Sequence, residues 1–254
     1  MVSVEPNDRG NGLRVCIRFP RVESIATIVS RVRRVFDLSA DPRAIANHLS
    51  TDPLLAPLIA RRPGLRVPGA WDGFEVAIRA VLGQQITVVA ARRLAAKLVG
   101  TFGDPFEASG DDRLTHTFPT PAKLAASDMR VLGMPASRAL ALASVSAAAA
   151  ADQRLFSPSE TLEHAIDRLR ALRGIGEWTA QYIAMRALRE PDAFPAADIG
   201  LMRALAQQGG ARPNAAAVLA RAEAWRPWRA YAAQHLWTAD ATTKEHTDVQ
   251  PIAA

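Results

Sequence analysis

The chain has 254 residues and a formal net charge of +6, with 49% apolar and 22% charged residues, an ordinary globular balance for one large domain or two small ones. Its single cysteine, Cys16, excludes an internal disulfide, a Cys-ligated structural zinc and a Cys-held iron–sulfur cluster. No apolar run approaches the roughly 20 residues that a membrane-spanning helix needs, and Met1 to Gly12 has no apolar signal-peptide core.

Two strands open the chain. Val2-Ser3-Val4 is short, and Leu13 to Phe19 alternates apolar and charged residues. The turn formers Asn7 to Gly12 between them make a β-hairpin. Cys16 reads as a small buried hydrophobe in the second strand, in keeping with a reducing cytosol. From Arg21 the period turns helical, through Ile25, Ile28, Val29, Val32, Val35 and Phe36. Ser39 to Asp41 caps a further helix at Pro42, and Pro63 to Gly69 is a break. Trp71 to Val99 is helical with an interruption at Gly83-Gln84-Gln85, and Gly103 to Thr117 reads as a surface loop. Helices follow over Pro121 to Met129, Ala136 to Ala151, Pro158 to Leu172, Glu177 to Leu188, Ile199 to Gln207, Asn214 to Ala222 and Pro227 to Trp237. About a fifth of the residues are Ala, the best helix former, so composition and pattern agree on a mainly α fold. All 31 cationic side chains but Lys97, Lys123 and Lys244 are Arg, the residue suited to bidentate phosphate contact. A GC-rich coding sequence accounts for the same excess of Ala and Arg.

The segment Leu172-Arg173-Gly174-Ile175-Gly176-Glu177-Trp178-Thr179 carries the most information. One helix stops at Gly174 and another starts after Gly176. Two glycines permit positive φ and a close backbone approach, and the free N–H groups of the new helix make an anion site suited to phosphate. A plain tight turn has the same pattern. Asp198, 22 positions past Gly176, stands where it can cap the next helix.

Taken together, Leu172 to Ala180 and Phe194-Pro195-x-x-Asp198-x-Gly200-Leu201 resemble the helix-hairpin-helix DNA glycosylase superfamily, and within it the DNA-3-methyladenine glycosylase II family. The resemblance runs from about Phe36 to Trp237. It includes Gly69 to Glu75, Ile78 to Gln85, Leu132-Gly133-Met134-Pro135 with Arg138, and Trp225 to Ala232 with His235 and Trp237.

The resemblance implies that Asp198 is the catalytic carboxylate. An N3- or N7-alkylated purine is a positively charged leaving group, so a fixed carboxylate has only to stabilise the oxocarbenium-like sugar and orient water. Asp192 is implied to be structural. Trp178, Tyr182 and Trp237 are implied to line the base pocket, where aromatic faces suit a cationic base. Gln85 occupies the place of the wedge that fills the gap left by a flipped base. Gly174, Ile175, Gly176 and Thr179 are implied to hold a DNA phosphate. A monovalent Na⁺ or K⁺ on the main-chain carbonyls of Arg170, Leu172 and Ile175 would strengthen that site; no other cofactor is expected. Members that cut the strand through a Schiff base carry Lys where this chain has Trp178, so a monofunctional enzyme is expected. Ile199 departs from the aromatic found in the well-known bacterial member, which implies a pocket more open on that side.

The expected architecture is mainly α: a helix-hairpin-helix glycosylase body of two helical lobes over residues 35–240. Before it lies a hairpin and helix, residues 1–34, the end of the family's longer N-terminal α+β domain. A flexible tail follows over 241–254. The expected partner is double-stranded DNA with an alkylated base, acted on by a monomer in the bacterial cytoplasm, at the nucleoid and away from any membrane. A misplaced start site, a naturally reduced domain, or a fusion or functional link to an adaptive-response activator would each account for the short N-terminus. The alternatives are a glycosylase for uracil, hypoxanthine or a mispaired base, and a non-catalytic DNA-binding module on the same hairpin.

Overall fold

Strands β1 (Val2–Pro6) and β2 (Leu13–Ile17) pair antiparallel, Val2 against Ile17 and Val4 against Val15. The strict alternation turns Val15 and Ile17 inward and Arg14 and Arg18 outward. Cys16 falls on the outward set and is exposed, which corrects the expectation of burial. The computed structural model describes all residues except 9, 11, 20, 107–113, 207–210 and 249–254. Parts of the expected turn (Arg9, Asn11), the centre of the surface loop, the helix end at Gln207 and the last six residues of the tail therefore lie outside the described residues.

Helix α1 (Ile25–Val35) follows a 3₁₀ turn at Val22–Ser24. Next come α2 (Pro42–Leu49), capped by the Asp41 carboxylate, and α3 (Ala56–Arg61). The long Trp71 to Val99 stretch splits as its interruption suggests. Asp72 caps α4 (Gly73–Leu82) and Thr87 caps α5 (Val88–Phe102). The expected Pro121 to Met129 helix is shorter, α6 (Pro121–Ala125). A separate 3₁₀ turn at Met129–Leu132 follows, because Asp128 accepts Arg130 N–H and starts a new cap. Beyond it run α7 (Ala136–Ala151), α8 (Leu162–Arg170) and α9 (Glu177–Ile183), which passes straight into a π-helical stretch, Ala184–Leu188. The chain ends with α10 (Ile199–Ala206), α11 (Ala215–Ala222) and α12 (Arg229–Asp248), the last extending eleven residues past the expected end at Trp237.

Helix α4 is the axis of one lobe. Phe74, Ala77, Ile78, Ala80, Val81 and Leu82 are all buried, and α4 packs on α7 and α9. Its Ala residues, with Ala141 and Ala180 opposite, let the helix backbones approach closely. The second lobe gathers α2 and α3 with α10, α11 and α12. A clamp of Arg203 on Asp240, at 3.0 and 2.8 Å, ties α10 to α12.

The lobes meet at Asp37, held in the left-handed region at φ 53° just after α1. The residue is buried, and its carboxylate accepts from the Tyr231 hydroxyl of α12 at 2.8 Å and from Val67 N–H at 3.3 Å. Arg189, which ends the π-helical stretch, pairs with its other oxygen. Burial and the neighbouring Asp37 push the Tyr231 phenol pKa upward.

His235 on α12 is buried, and desolvation with nearby Arg62 lowers its pKa to about 4. Between about pH 4 and the unfolded value near 6.5, the unfolded chain binds a proton that the folded chain refuses. Stability contributed by the neutral ring is thus complete above about pH 6.5 and falls as the pH drops toward 4, by up to about 3 kcal/mol. Urea unfolding from pH 7 to 4 should show this slope, and His235→Leu should flatten it. An unchanged slope in the variant refutes the assignment.

Candidate active site

Asp198 stands one residue before α10. Its Oδ1 accepts Leu201 N–H at 3.0 Å, so it caps the helix as spacing suggests. The same oxygen accepts the Trp237 indole N–H at 2.8 Å, and Oδ2 accepts the Trp178 indole N–H at 2.9 Å. Cap and site are one arrangement: α10 supplies one donor and two flanking aromatics supply the others. The indole N–H donates only, so each ring fixes one face of the carboxylate without competing for a proton. A side chain at Gly200 would sit 2.9 Å from Asp198 Oδ1 and 3.1 Å from the Trp237 ring, so glycine is what lets the indole reach the acid.

Trp178 and Tyr182, one turn apart on α9, stack with centroids 5.3 Å apart and planes 8° from parallel. Trp237 comes from α12, so two elements distant in sequence complete the aromatic wall. Ile199, beside the acid, is 58% exposed, so α10 places no aromatic on that side.

Arg186 escaped the sequence reading. Its guanidinium lies 5.5 Å from the Tyr182 centroid and 5.5 Å from that of Trp237. It also donates to Pro68 O and Gln234 Oε1, both at 3.0 Å. Desolvation lowers its pKa. The signal was present in the sequence, since Trp178, Tyr182 and Arg186 recur at spacings of four. The π-helical turn that carries Arg186 was not visible there, and such turns recur at functional sites.

The hairpin turns at Gly174, φ +83°, and Ile175 N–H closes it onto Leu172 O at 3.1 Å. A side chain at Gly174 would meet Ala141 of α7 at 2.3 Å, so glycine is required both by φ and by packing. No side chain caps α9 at Gly176, which leaves first-turn N–H groups facing out of the hairpin. Two of the four residues expected at a phosphate turn their side chains inward. The Ile175 N–H is spent within the turn, and its side chain is buried. The Thr179 hydroxyl is also buried and accepts from Gln84 Nε2 at 3.0 Å, so it faces inward rather than toward solvent. Gly174 and Gly176 remain exposed at the surface of the hairpin.

Gln85 sits in the turn between α4 and α5 with φ +57° and an exposed side chain. Asp192 does not reach this site; it pairs with Arg226 and, at 2.8 Å, with Arg229. Of the flanking tryptophans read as core, Trp225 is 1% exposed and donates to Asp52 at 2.7 Å, and Trp228 packs against the core. Among the described residues no group of three His, Cys, Asp or Glu side chains could hold a metal ion, and no helix is long and apolar enough to cross a membrane.

Two family descriptions cover nearly all of this architecture. Residues 1–72 match the AlkA N-terminal domain, and residues 78–230 match the HhH-GPD superfamily base excision DNA repair protein. The chain belongs to the HhH-GPD superfamily. Among superfamily relatives, it is 35% identical over 215 residues to DNA-3-methyladenine glycosylase 2 of Escherichia coli, covering 84% of this chain and 71% of that one. It is 41% identical over 222 residues to a probable bifunctional transcriptional activator/DNA repair enzyme AlkA of Mycobacterium tuberculosis. There the match covers 87% of this chain but 44% of the relative, so the chain spans less than half of that protein's length. The fold overlays on 3-methyladenine DNA-glycosylase from Archaeoglobus fulgidus with a TM-score of 0.82 at 25% identity, over 95% of this chain and 82% of that one.

The doubly held carboxylate makes a prediction of its own. Trp178→Phe keeps the stack on Tyr182 and removes the donor to Oδ2. Hydrogen bonds to charged groups are worth roughly 1.5–3 kcal/mol, so single-turnover base release should fall about 10- to 100-fold with little change in DNA affinity. Release within a factor of about two of wild type contradicts the role.

Proposed function

We propose that this chain is a monofunctional DNA glycosylase that flips an alkylated purine of the 3-methyladenine or 7-methylguanine type out of duplex DNA and releases it, leaving an intact abasic site. The observation that carries the reading is Asp198, whose two oxygens accept from Trp178 and Trp237 beside the stacked Trp178–Tyr182 pair. Loss of an alkylated base builds positive charge on the deoxyribose, and a carboxylate already oriented by three donors stabilises that charge without reorganising. The departing base is itself cationic and needs no strong acid. Trp178, Tyr182 and Trp237 receive it by stacking, and Arg186 braces the far side of that wall.

In this reading Gln85 enters the duplex as the wedge, since its left-handed backbone and exposed side chain hold it clear of the protein. The Gly174 and Gly176 backbone grips a phosphate. A monovalent cation would be held by the neutral carbonyls of Arg170, Leu172 and Ile175, hard oxygen donors that suit such an ion. Leu172 O takes one N–H, from Ile175, and keeps a second lone pair. The enzyme acts as a monomer on the DNA of a bacterial cytoplasm. A functional link to an adaptive-response activator is supported by the description of the M. tuberculosis relative.

The test is incubation with methylated duplex DNA and chromatography of the released bases. Free 3-methyladenine or 7-methylguanine is expected, with no strand cleavage and no adduct trapped by borohydride, because Trp178 cannot form an imine. Release only from uracil, hypoxanthine or mispaired duplexes moves the enzyme to another lesion. Tight DNA binding with no release from any of them makes it a binding module.

A further inference from the structure

We propose that Gln84 is a positioning residue that sets the register between the Gln85 turn and the hairpin, so that phosphate grip and base displacement act on the same nucleotide step. The inference rests on the glycosylase reading above and assigns a role that the site description does not.

Three contacts support it. Gln84 Nε2 donates to Gly174 O of the hairpin at 2.9 Å and to Thr179 Oγ1 at 3.0 Å. A main-chain carbonyl only accepts, which fixes the amide with its nitrogen toward the hairpin. The main-chain carbonyl of Gln84 in turn accepts from Arg138, near the start of α7. One residue therefore joins the α4–α5 turn, the hairpin and α7. Gly174 is also pressed on α7, where an added Cβ would meet Ala141 at 2.3 Å. At the next position the backbone turns left-handed and Gln85 projects outward. Side chains of adjacent residues thus divide the work, one anchored inward and one presented outward.

Flipping a base costs a few kcal/mol of unpairing and unstacking, least when the base has no partner. A wedge whose register to the gripped phosphate is loose pushes at the wrong place and loses most on a paired lesion. The experiment is single-turnover release of 7-methylguanine from two duplexes, one pairing the lesion with cytosine and one placing it opposite an abasic-site analogue. Gln84→Met keeps the side-chain length and removes both donated bonds, and Gln84→Glu also sets a carboxylate against Gly174 O. Thermal unfolding midpoints are measured for each.

The expected result is a loss of at least about 10-fold on the paired duplex, larger for Gln84→Glu, shrinking to within about threefold on the unpaired one. Equal losses on both duplexes mean that Gln84 only supports the fold and overturn the proposal, as does wild-type behaviour of both variants. If wild-type protein releases no base from either duplex, the glycosylase reading itself has failed and this inference falls with it.

Discussion

Asp198→Asn abolishes base release while leaving DNA binding intact. The substitution keeps the shape and the Oδ1 acceptor for Leu201 N–H and Trp237. It replaces Oδ2 by an NH₂ that cannot accept from the Trp178 indole. The hairpin and Gln85 are untouched, so affinity for duplex DNA holds. The fixed negative charge facing the sugar is gone. Removing one preorganised electrostatic group costs on the order of 100- to 1000-fold in rate, and here the group carries a full charge, so the loss should reach or exceed that range. Single-turnover release from methylated duplex, with binding measured in parallel on the same DNA, checks both halves. Substantial release by the Asn variant assigns Asp198 to the helix cap alone.

Asp37→Ala has the largest expected effect on stability. The carboxylate gathers donors from three separate segments: Val67 N–H, the Tyr231 hydroxyl and the Arg189 guanidinium. It is 6% exposed in its side chain, and Arg189 is 19% exposed, so removing the acid strands a largely buried cation and a buried hydroxyl. Breaking a buried pair on one side costs about 3–5 kcal/mol. Ala also suits the left-handed backbone at φ 53° less well than Asp. For a chain of this size the unfolding midpoint should drop by about 10 °C. Asp37→Asn, which tolerates the same backbone and keeps one acceptor, should lose less. A midpoint within about 2 °C of wild type for the Ala variant shows that other contacts hold the lobes together. Since Arg189 caps the π-helical stretch that carries Arg186, loosening this junction should also reach the aromatic wall.

Much of the helix plan was legible because caps and breakers act locally. Asp41, Asp72, Thr87, Thr120 and Asn214 each accept from a backbone N–H of their own helix, contacts that depend only on neighbours in sequence. Thr161 does the same for α8, which therefore starts at Leu162 rather than at the expected Pro158. The split after α6 was missed although it rests on the same kind of contact, because Asp128 sits inside what reads as one periodic run. The placement of Cys16 failed for a different reason. A small apolar residue was assigned by its type, whereas the strand's period of two assigns it by position.

The sequence by itself determined a mainly helical chain, a two-glycine hairpin and an acid 22 positions beyond it, since these follow from propensity, spacing and motif. Only the tertiary structure decided how these parts meet. Trp237 reaches Asp198 from 39 positions away, Gln84 reaches the hairpin from 90, and Tyr231 reaches Asp37 from 194. Such contacts depend on how α4, α9, α10 and α12 pack against one another, and packing is settled by the shape of the whole core rather than by any window of sequence. The same packing turned the Thr179 hydroxyl inward, set Arg186 against the aromatic wall and made one carboxylate both helix cap and candidate catalyst.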